Sequence, residues 1–99
     1  MWYAIISEDV ENSLDLRIHS RDAHLARLRT LADEGRILIA GPHPASDNEN
    51  ANPAGFTGSL VVADFPSLAD ARAWANVDPY VDAGVYANVT IKPFKLVLP

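Results

Sequence analysis

Cysteine is absent from these 99 residues. That excludes a disulfide scaffold, a thiolate nucleophile and any cysteine-ligated zinc or iron–sulfur centre. Positive charge is scarce: eight Lys and Arg stand against thirteen Asp and Glu, for a formal net charge of −5. A chain so balanced is poorly suited to gripping nucleic-acid phosphates or an anionic membrane, so neither is expected as a partner. No apolar run approaches the ~18 residues of a membrane span. The opening Met1-Trp2-Tyr3-Ala4-Ile5-Ile6 carries no basic stretch and meets Ser7-Glu8-Asp9 at once, unlike a secretory leader. The expectation is a soluble, cytoplasmic protein with one domain over residues 1–99.

What is present reads as a short series of alternating elements. Trp2 to Ile6 is aromatic and β-branched and ends at a polar turn, the pattern of a strand. Asn12 and Ser13 offer caps to a helix over Leu14–Glu34, a stretch without Gly or Pro in which Leu14, Ile18, Leu25, Leu28, Leu31 and Ala32 recur at helical spacing. Gly35 stops it in the usual left-handed position. Ile37 to Ala40 is a second strand closed by Gly41-Pro42, and Pro44 to Gly55 is a long polar loop. Phe56 to Phe65 is a third strand, with Gly58 inside it marking a bulge or a close approach. A second helix, Leu68 to Val77, ends at Asp78-Pro79 because a residue before proline is pushed out of the helical region. Val85 to Val97 is strand-like, with Pro93 at an edge or a bulge.

The order β-α-β-β-α-β is the ferredoxin-like arrangement, an α+β fold with both helices on one face of an antiparallel sheet. Ile37–Ala40 and Leu60–Ala63 are apolar at consecutive positions, so both faces of the sheet want cover, whereas a sheet with one wet face alternates. A second copy laid against the open face answers this, and a homodimer is expected. Trp2, Tyr3, Trp74 and Phe94 then read as core or dimer contacts.

Three places hold polar residues that the pattern does not explain. On a wheel at ~100° per residue, Arg17, Arg21 and His24 fall within the apolar arc of the first helix. Charges are not buried without partners or solvent. They read either as the lining of a pocket between this helix and the sheet, or as arginines snorkelling to the surface beside a half-buried histidine. Asp78 follows a helix, where a carboxylate faces the unfavourable carbonyl end of the dipole. It is explained by a turn role or by a cationic partner, and His24 is the candidate, with the carboxylate fixing the imidazole tautomer. Gly41-Pro42 ends a strand with a rigid turn that either admits a ligand to the backbone or only permits the bend. His43 reads as exposed and His19 lies on the polar side. The histidines lack metal-ligand spacing. Phosphate loops, nucleophile elbows and dinucleotide fingerprints are missing. No metal and no cofactor is expected.

The blocks Arg21–Leu28, Glu34 and Arg36, Ala40-Gly41-Pro42, Ala54–Ser59, Asp78-Pro79-Tyr80-Val81, Ala83–Tyr86 and Lys92–Lys95 together resemble the YciI-like (YCII-related) family from end to end. The resemblance implies a ferredoxin-like fold pairing into a dimeric α/β barrel, and a site built on a His–Asp pair, here His24 and Asp78. Arg17, Arg21, Gly41, Pro42 and Tyr80 are expected to contact a small anionic or phenolic ligand. By analogy with superfamily relatives that eliminate chloride or isomerise lactones, the expected chemistry is that of a cofactor-independent lyase or isomerase. The alternatives are a non-catalytic small-molecule-binding dimer and a purely structural domain.

Overall fold

Residues that alternate along a strand point to opposite faces, and here the alternation sorts the sheet into a dry end and a wet end. The computed structural model describes residues 1–50 and 54–99. Its elements are β1 (Trp2–Asp9), α1 (Leu14–Asp33), β2 (Ile37–Pro44), β3 (Phe56–Asp64), α2 (Leu68–Asn76), α3 (Pro79–Asp82) and β4 (Tyr86–Phe94). The strands form one antiparallel sheet in the order β2-β3-β1-β4, the ferredoxin-like α+β fold. Tyr3 pairs with Ala63, Ile5 with Val61 and Ser7 with Ser59. These rows face the helices. The first two join Leu31 of α1, Phe65, and Ala71 and Ala75 of α2 in the buried core, while the third is a pair of buried serines.

Several boundaries differ from those the sequence suggests. β1 runs on through Ser7-Glu8-Asp9, which is strand rather than turn. β2 does not close at Gly41-Pro42 but continues to Pro44, with Pro42 opposite Ser59 and Pro44 opposite Phe56. Proline removes a ladder donor and is tolerated only where a strand has one free side; β2 is an edge, and so is β4, which carries Pro93. Ile37 pairs with Ala63 and Ile39 with Val62, so Leu38 is an extra residue in a bulge. The consecutive apolar residues of Ile37–Ala40 therefore owe part of their pattern to that insertion. β4 ends at Phe94, short of the expected Val97. Of the expected loop Pro44–Gly55, Ala45 N–H donates to Gly55 O at 2.9 Å, and residues 51–53 lie outside the described residues. α1 matches its expected span, and Gly35 follows it with φ +72°. Among the described residues no helix is long and apolar enough to cross a membrane.

Gly58 is a close approach on its β1 side, where it pairs in register with Glu8 and a Cβ would run into the carbonyl oxygen of Ser7. It borders a bulge on its β2 side, where His43 pairs with Gly58 and Pro44 with Phe56, leaving Thr57 over. Gly58→Ala is expected to cost about 1–3 kcal/mol, lowering Tm by ~4–8 °C per kcal/mol in a domain of this size. Gly41→Ala is the control, because a Cβ at Gly41 meets no atom within 4 Å; its melting should stay within about 0.5 kcal/mol of the parent. Equal melting of the two variants would remove the contact as the reason for a glycine at 58.

Candidate functional site

Three residues of α1 are buried, Arg17, His24 and Leu31. They are seven apart, two helical turns, and so form one narrow seam against the sheet. Leu31 lies over the dry end. Arg17 lies over the serines, and its charge is met from several sides. Nε donates to Asp9 Oδ2 at 2.6 Å and Nη2 to Asp9 Oδ1 at 2.9 Å. Nη2 also donates to Gly58 O at 3.0 Å and Ser59 Oγ at 2.9 Å. The two side chains of this ion pair are 6% and 0% exposed. Asp9 is brought there by the end of β1 and by Asn12, whose φ of 56° turns the chain back into α1. Ser13 precedes the helix but does not cap it; its hydroxyl donates to Asp9 Oδ2 at 2.5 Å. The rings of Phe56, Tyr80 and Tyr86 surround the guanidinium at 5.0, 5.1 and 5.9 Å. Burial works against this charge, but the hydrogen bonds and field of Asp9 outweigh it and hold the Arg17 pKa above its ordinary value.

His24 and Asp78 meet. Nδ1 lies 2.8 Å from Asp78 Oδ1 and 3.0 Å from Oδ2. A carboxylate only accepts, so Nδ1 carries the hydrogen, and Nε2 has no partner among the described residues. Both side chains are buried, 8% and 7% exposed. The expectation that Asp78 faces the unfavourable end of a helix is corrected here. Beyond α2 the chain starts a new short helix, α3, with Asp78 as its N-cap and Pro79 in its first turn; Asp78 Oδ1 accepts the Tyr80 N–H at 2.8 Å. The same cap brings the Tyr80 ring flat against His24, centroids 3.9 Å apart and planes within 6°. Tyr80 meets Tyr86 edge-on at 5.6 Å.

Between α1 and the β2–β3 half of the sheet lies a cavity of about 350 Å³. Arg17, Arg21, His24, Gly41, Pro42 and Tyr80 all line it, and apolar side chains such as Leu25 and Phe56 complete the wall. Asp78 stands behind His24 and does not reach this lining. Arg21 shares the wheel arc but not the burial of Arg17: it is exposed and makes no ion pair or hydrogen bond among the described residues. Among the described residues Arg17 has only Nη1 without a partner, because its Nε and Nη2 fork is taken by Asp9. Ile18, expected in the core, is 61% exposed. His43 and His19 are exposed, as expected, with His19 Nδ1 3.1 Å from Asp15 O. Among the described residues no group of three or more His, Asp or Glu is placed to hold a metal.

Sequence reasoning missed Asp9, Ser59 and Tyr86. The signal for Asp9 was available: a buried guanidinium demands a carboxylate, and Asp9 is the acidic residue nearest the helix start that lies on an inner strand. Ser59 and Tyr86 look like ordinary strand residues.

The YCII-related domain family matches residues 1–95 of the chain. The chain is 57% identical over 97 residues to the protein YciI of Escherichia coli O6:H1, covering 98% of this chain and 99% of that one. It is 55% identical over 97 residues to an uncharacterized protein of Haemophilus influenzae, with the same coverage. Among solved structures it is similar, at TM-score 0.84 and 27% identity, to the 5-chloro-2-hydroxyhydroquinone dehydrochlorinase of Burkholderia phenoliruptrix in complex with 2,5-dihydroxybenzoquinone. That likeness covers 96% of this chain and 94% of the other.

The two tyrosines of the site resist ionisation. Burial raises the Tyr80 phenol above its usual range, against the pull of Arg17 and Arg21. Burial likewise pushes Tyr86 to about 12, with the Ser59 hydrogen bond acting in the opposite direction. Between the unfolded value near ~10 and 12, the folded chain keeps a proton that the unfolded chain has lost, so stability falls as pH rises through that window. Tyr86 alone should cost about 2–3 kcal/mol from pH ~10 to ~12, and Tyr86→Phe should flatten that part of the curve in urea titrations. A parent curve already flat there would show that Tyr86 ionises normally.

Proposed function

Because the chain belongs to the YCII-related family, which spans residues 1–95, we propose that the cavity beside α1 is the active site of a cofactor-independent lyase or isomerase. Its substrate is a small anionic or phenolic metabolite, and its place is the cytoplasm. The observation that carries this reading is the orientation of His24, whose Nδ1 is held by Asp78 while Nε2 is left for the cavity that His24 lines. Nε2 is the general base that takes a proton from the substrate and later the acid that returns or releases it. Asp78 keeps the tautomer and stabilises the imidazolium that forms. Arg21 at the rim, with Nη1 of Arg17, offsets negative charge on the ligand. In a chain of net charge −5, no carboxylate among the described residues lines this cavity, which supports an anionic occupant. Tyr80 and Phe56 give flat walls that suit a ring.

The likeness to the dehydrochlorinase supports elimination as the first reaction to try: His24 Nε2 takes a proton from a ring hydroxyl and returns it to the carbon bearing chlorine, giving a keto tautomer. Nε2 then takes a second hydroxyl proton, that electron pair passes through the ring to the same carbon as its bond to chlorine breaks, and chloride leaves a hydroxyquinone. With 5-chloro-2-hydroxyhydroquinone as substrate, chloride release is expected from the parent. His24→Ala should lower kcat ~10²–10⁴-fold, the usual share of positioned acid–base catalysis. Asp78→Asn should lower kcat while leaving the Kd for 2,5-dihydroxybenzoquinone within about threefold. A parent that binds that quinone yet turns over neither this nor other activated carbon acids supports the second reading, a non-catalytic binding protein using the same cavity.

The open face of the sheet is the proposed contact between two copies. Ile39 on β2 is 52% exposed and Phe94 on β4, opposite Trp2, is 38% exposed, apolar side chains at the two borders of a face that a second sheet covers. Sedimentation should give a dimer, and Ile39→Glu should shift it to monomer by burying an unpaired charge. A parent that sediments as a monomer at all concentrations tested removes the dimer from this account.

A further inference from the structure

Ser59 is 4% exposed and lines the cavity, and its hydrogen bonds do not balance within the protein. A serine hydroxyl has one hydrogen to give and two lone pairs to receive with. Arg17 Nη2 donates to Ser59 Oγ at 2.9 Å and Tyr86 Oη donates to it at 3.0 Å. Nη2 shares its two hydrogens among Asp9 Oδ1, Gly58 O and Ser59 Oγ, and with the Tyr86 hydrogen it leaves Ser59 facing donors on both lone pairs. A guanidinium cannot accept in return, and no carbonyl or carboxylate among the described residues takes the Ser59 hydrogen. Reversing the Ser59–Tyr86 bond does not remove the surplus, because two hydroxyls that share one bond still leave one hydrogen over. With Tyr86 as the donor of the pair the surplus hydrogen belongs to Ser59, which lines the cavity where Tyr86 does not, and the cavity is where a ligand oxygen can meet it. A buried donor left without an acceptor has its desolvation uncompensated, and a ligand oxygen removes that penalty.

We propose that Ser59 is the neutral donor of an oxyanion subsite, holding, beside Arg17 Nη1, an anionic oxygen carried on an sp² carbon: a phenolate, an enolate or a carboxylate. This rests on the reading of the cavity as the ligand site and adds the contact that selects ionised ligands over neutral ones. The two donors into Ser59 polarise its O–H and make it a stronger donor than a free serine. Arg17, already neutralised by Asp9, supplies direction more than net charge. The negative oxygen is thus met by a hydroxyl fixed from behind, at the opposite end of the seam from the apolar core.

The test uses 4-nitrophenolate as the probe, at a pH where it is ionised, and nitrobenzene as its neutral counterpart, each titrated by calorimetry. The parent is expected to bind the phenolate more tightly than nitrobenzene. Ser59→Ala should weaken 4-nitrophenolate about tenfold or more, as for a hydrogen bond to a charged group, and change nitrobenzene less than about twofold. Ser59→Thr, which keeps the hydroxyl, should restore most of the phenolate affinity. Equal weakening of both ligands by Ser59→Ala would mark a structural role and overturn the proposal. Phenolate binding that Ser59→Ala leaves untouched would overturn it while sparing the cavity reading, whereas a parent that binds neither ligand would overturn both. Should the variants fail to fold, a crystal structure of the parent with 4-nitrophenolate decides directly. The expected phenolate oxygen lies ~2.7 Å from Ser59 Oγ; an oxygen bound only to His24 or Arg21 overturns the assignment.

Discussion

A buried arginine shapes this molecule. With Arg17 in the seam of α1, the neighbouring strand ends must offer oxygen in place of hydrocarbon, and they do: Asp9 from β1, Gly58 O and Ser59 from β3. An ion pair this deep adds little net stability over a well-packed apolar pair, because desolvation offsets most of the Coulomb gain; removing one partner alone costs ~3–5 kcal/mol. Its effect is geometric. At its end the seam carries guanidinium and oxygen where Leu31 carries hydrocarbon, and the cavity opens beside it with Arg17 and Ser59 in its lining. The core and the candidate site are therefore two ends of one helix–sheet contact, separated by what the seam carries at successive double turns.

The histidine end of the seam is built differently. His24 is fixed not by a residue of the sheet but by the four-residue helix α3. One carboxylate there serves two neighbours, capping the helix through the Tyr80 N–H and holding the imidazole. Because Tyr80 is the residue whose N–H is capped, the ring that stacks on His24 is set by the same bond. Position, tautomer and ring plane of His24 thus share a single origin. A residue at 78 without a side-chain oxygen would release all three.

Much of this was legible in the residues. Strand, helix and strand order followed from periodicity and punctuation, and Arg17 and His24 stood out because cations at apolar positions violate the pattern around them. The family resemblance named His24 and Asp78, and the structure places them in contact. What escaped had physical reasons. The wheel gives direction but not depth, so Arg21 and Ile18 looked as buried as Arg17, although on α1 only Arg17, His24 and Leu31, seven apart, are buried. Asp9 belongs to an acidic run that reads as a solvated turn until its partner is known. A Gly-Pro pair argues against a strand unless the strand is an edge, and edge status is a property of the whole sheet rather than of Ala40-Gly41-Pro42. The bulge at Leu38 leaves no local signature beyond one apolar residue too many. α3 is too short to show a period.

The prolines of the outer strands carry one more consequence. A bare sheet edge is a template on which any extended chain can add itself, hydrogen bond by hydrogen bond, and runs such as Ile37–Ala40 are the kind of segment that seeds fibres. Pro42 and Pro44 interrupt the ladder groups of one outer strand and Pro93 those of the other. A growing stack therefore meets missing donors at both borders. The sheet can offer itself by its face but is guarded along its sides, so its apolar surface does not double as a route to open-ended polymerisation.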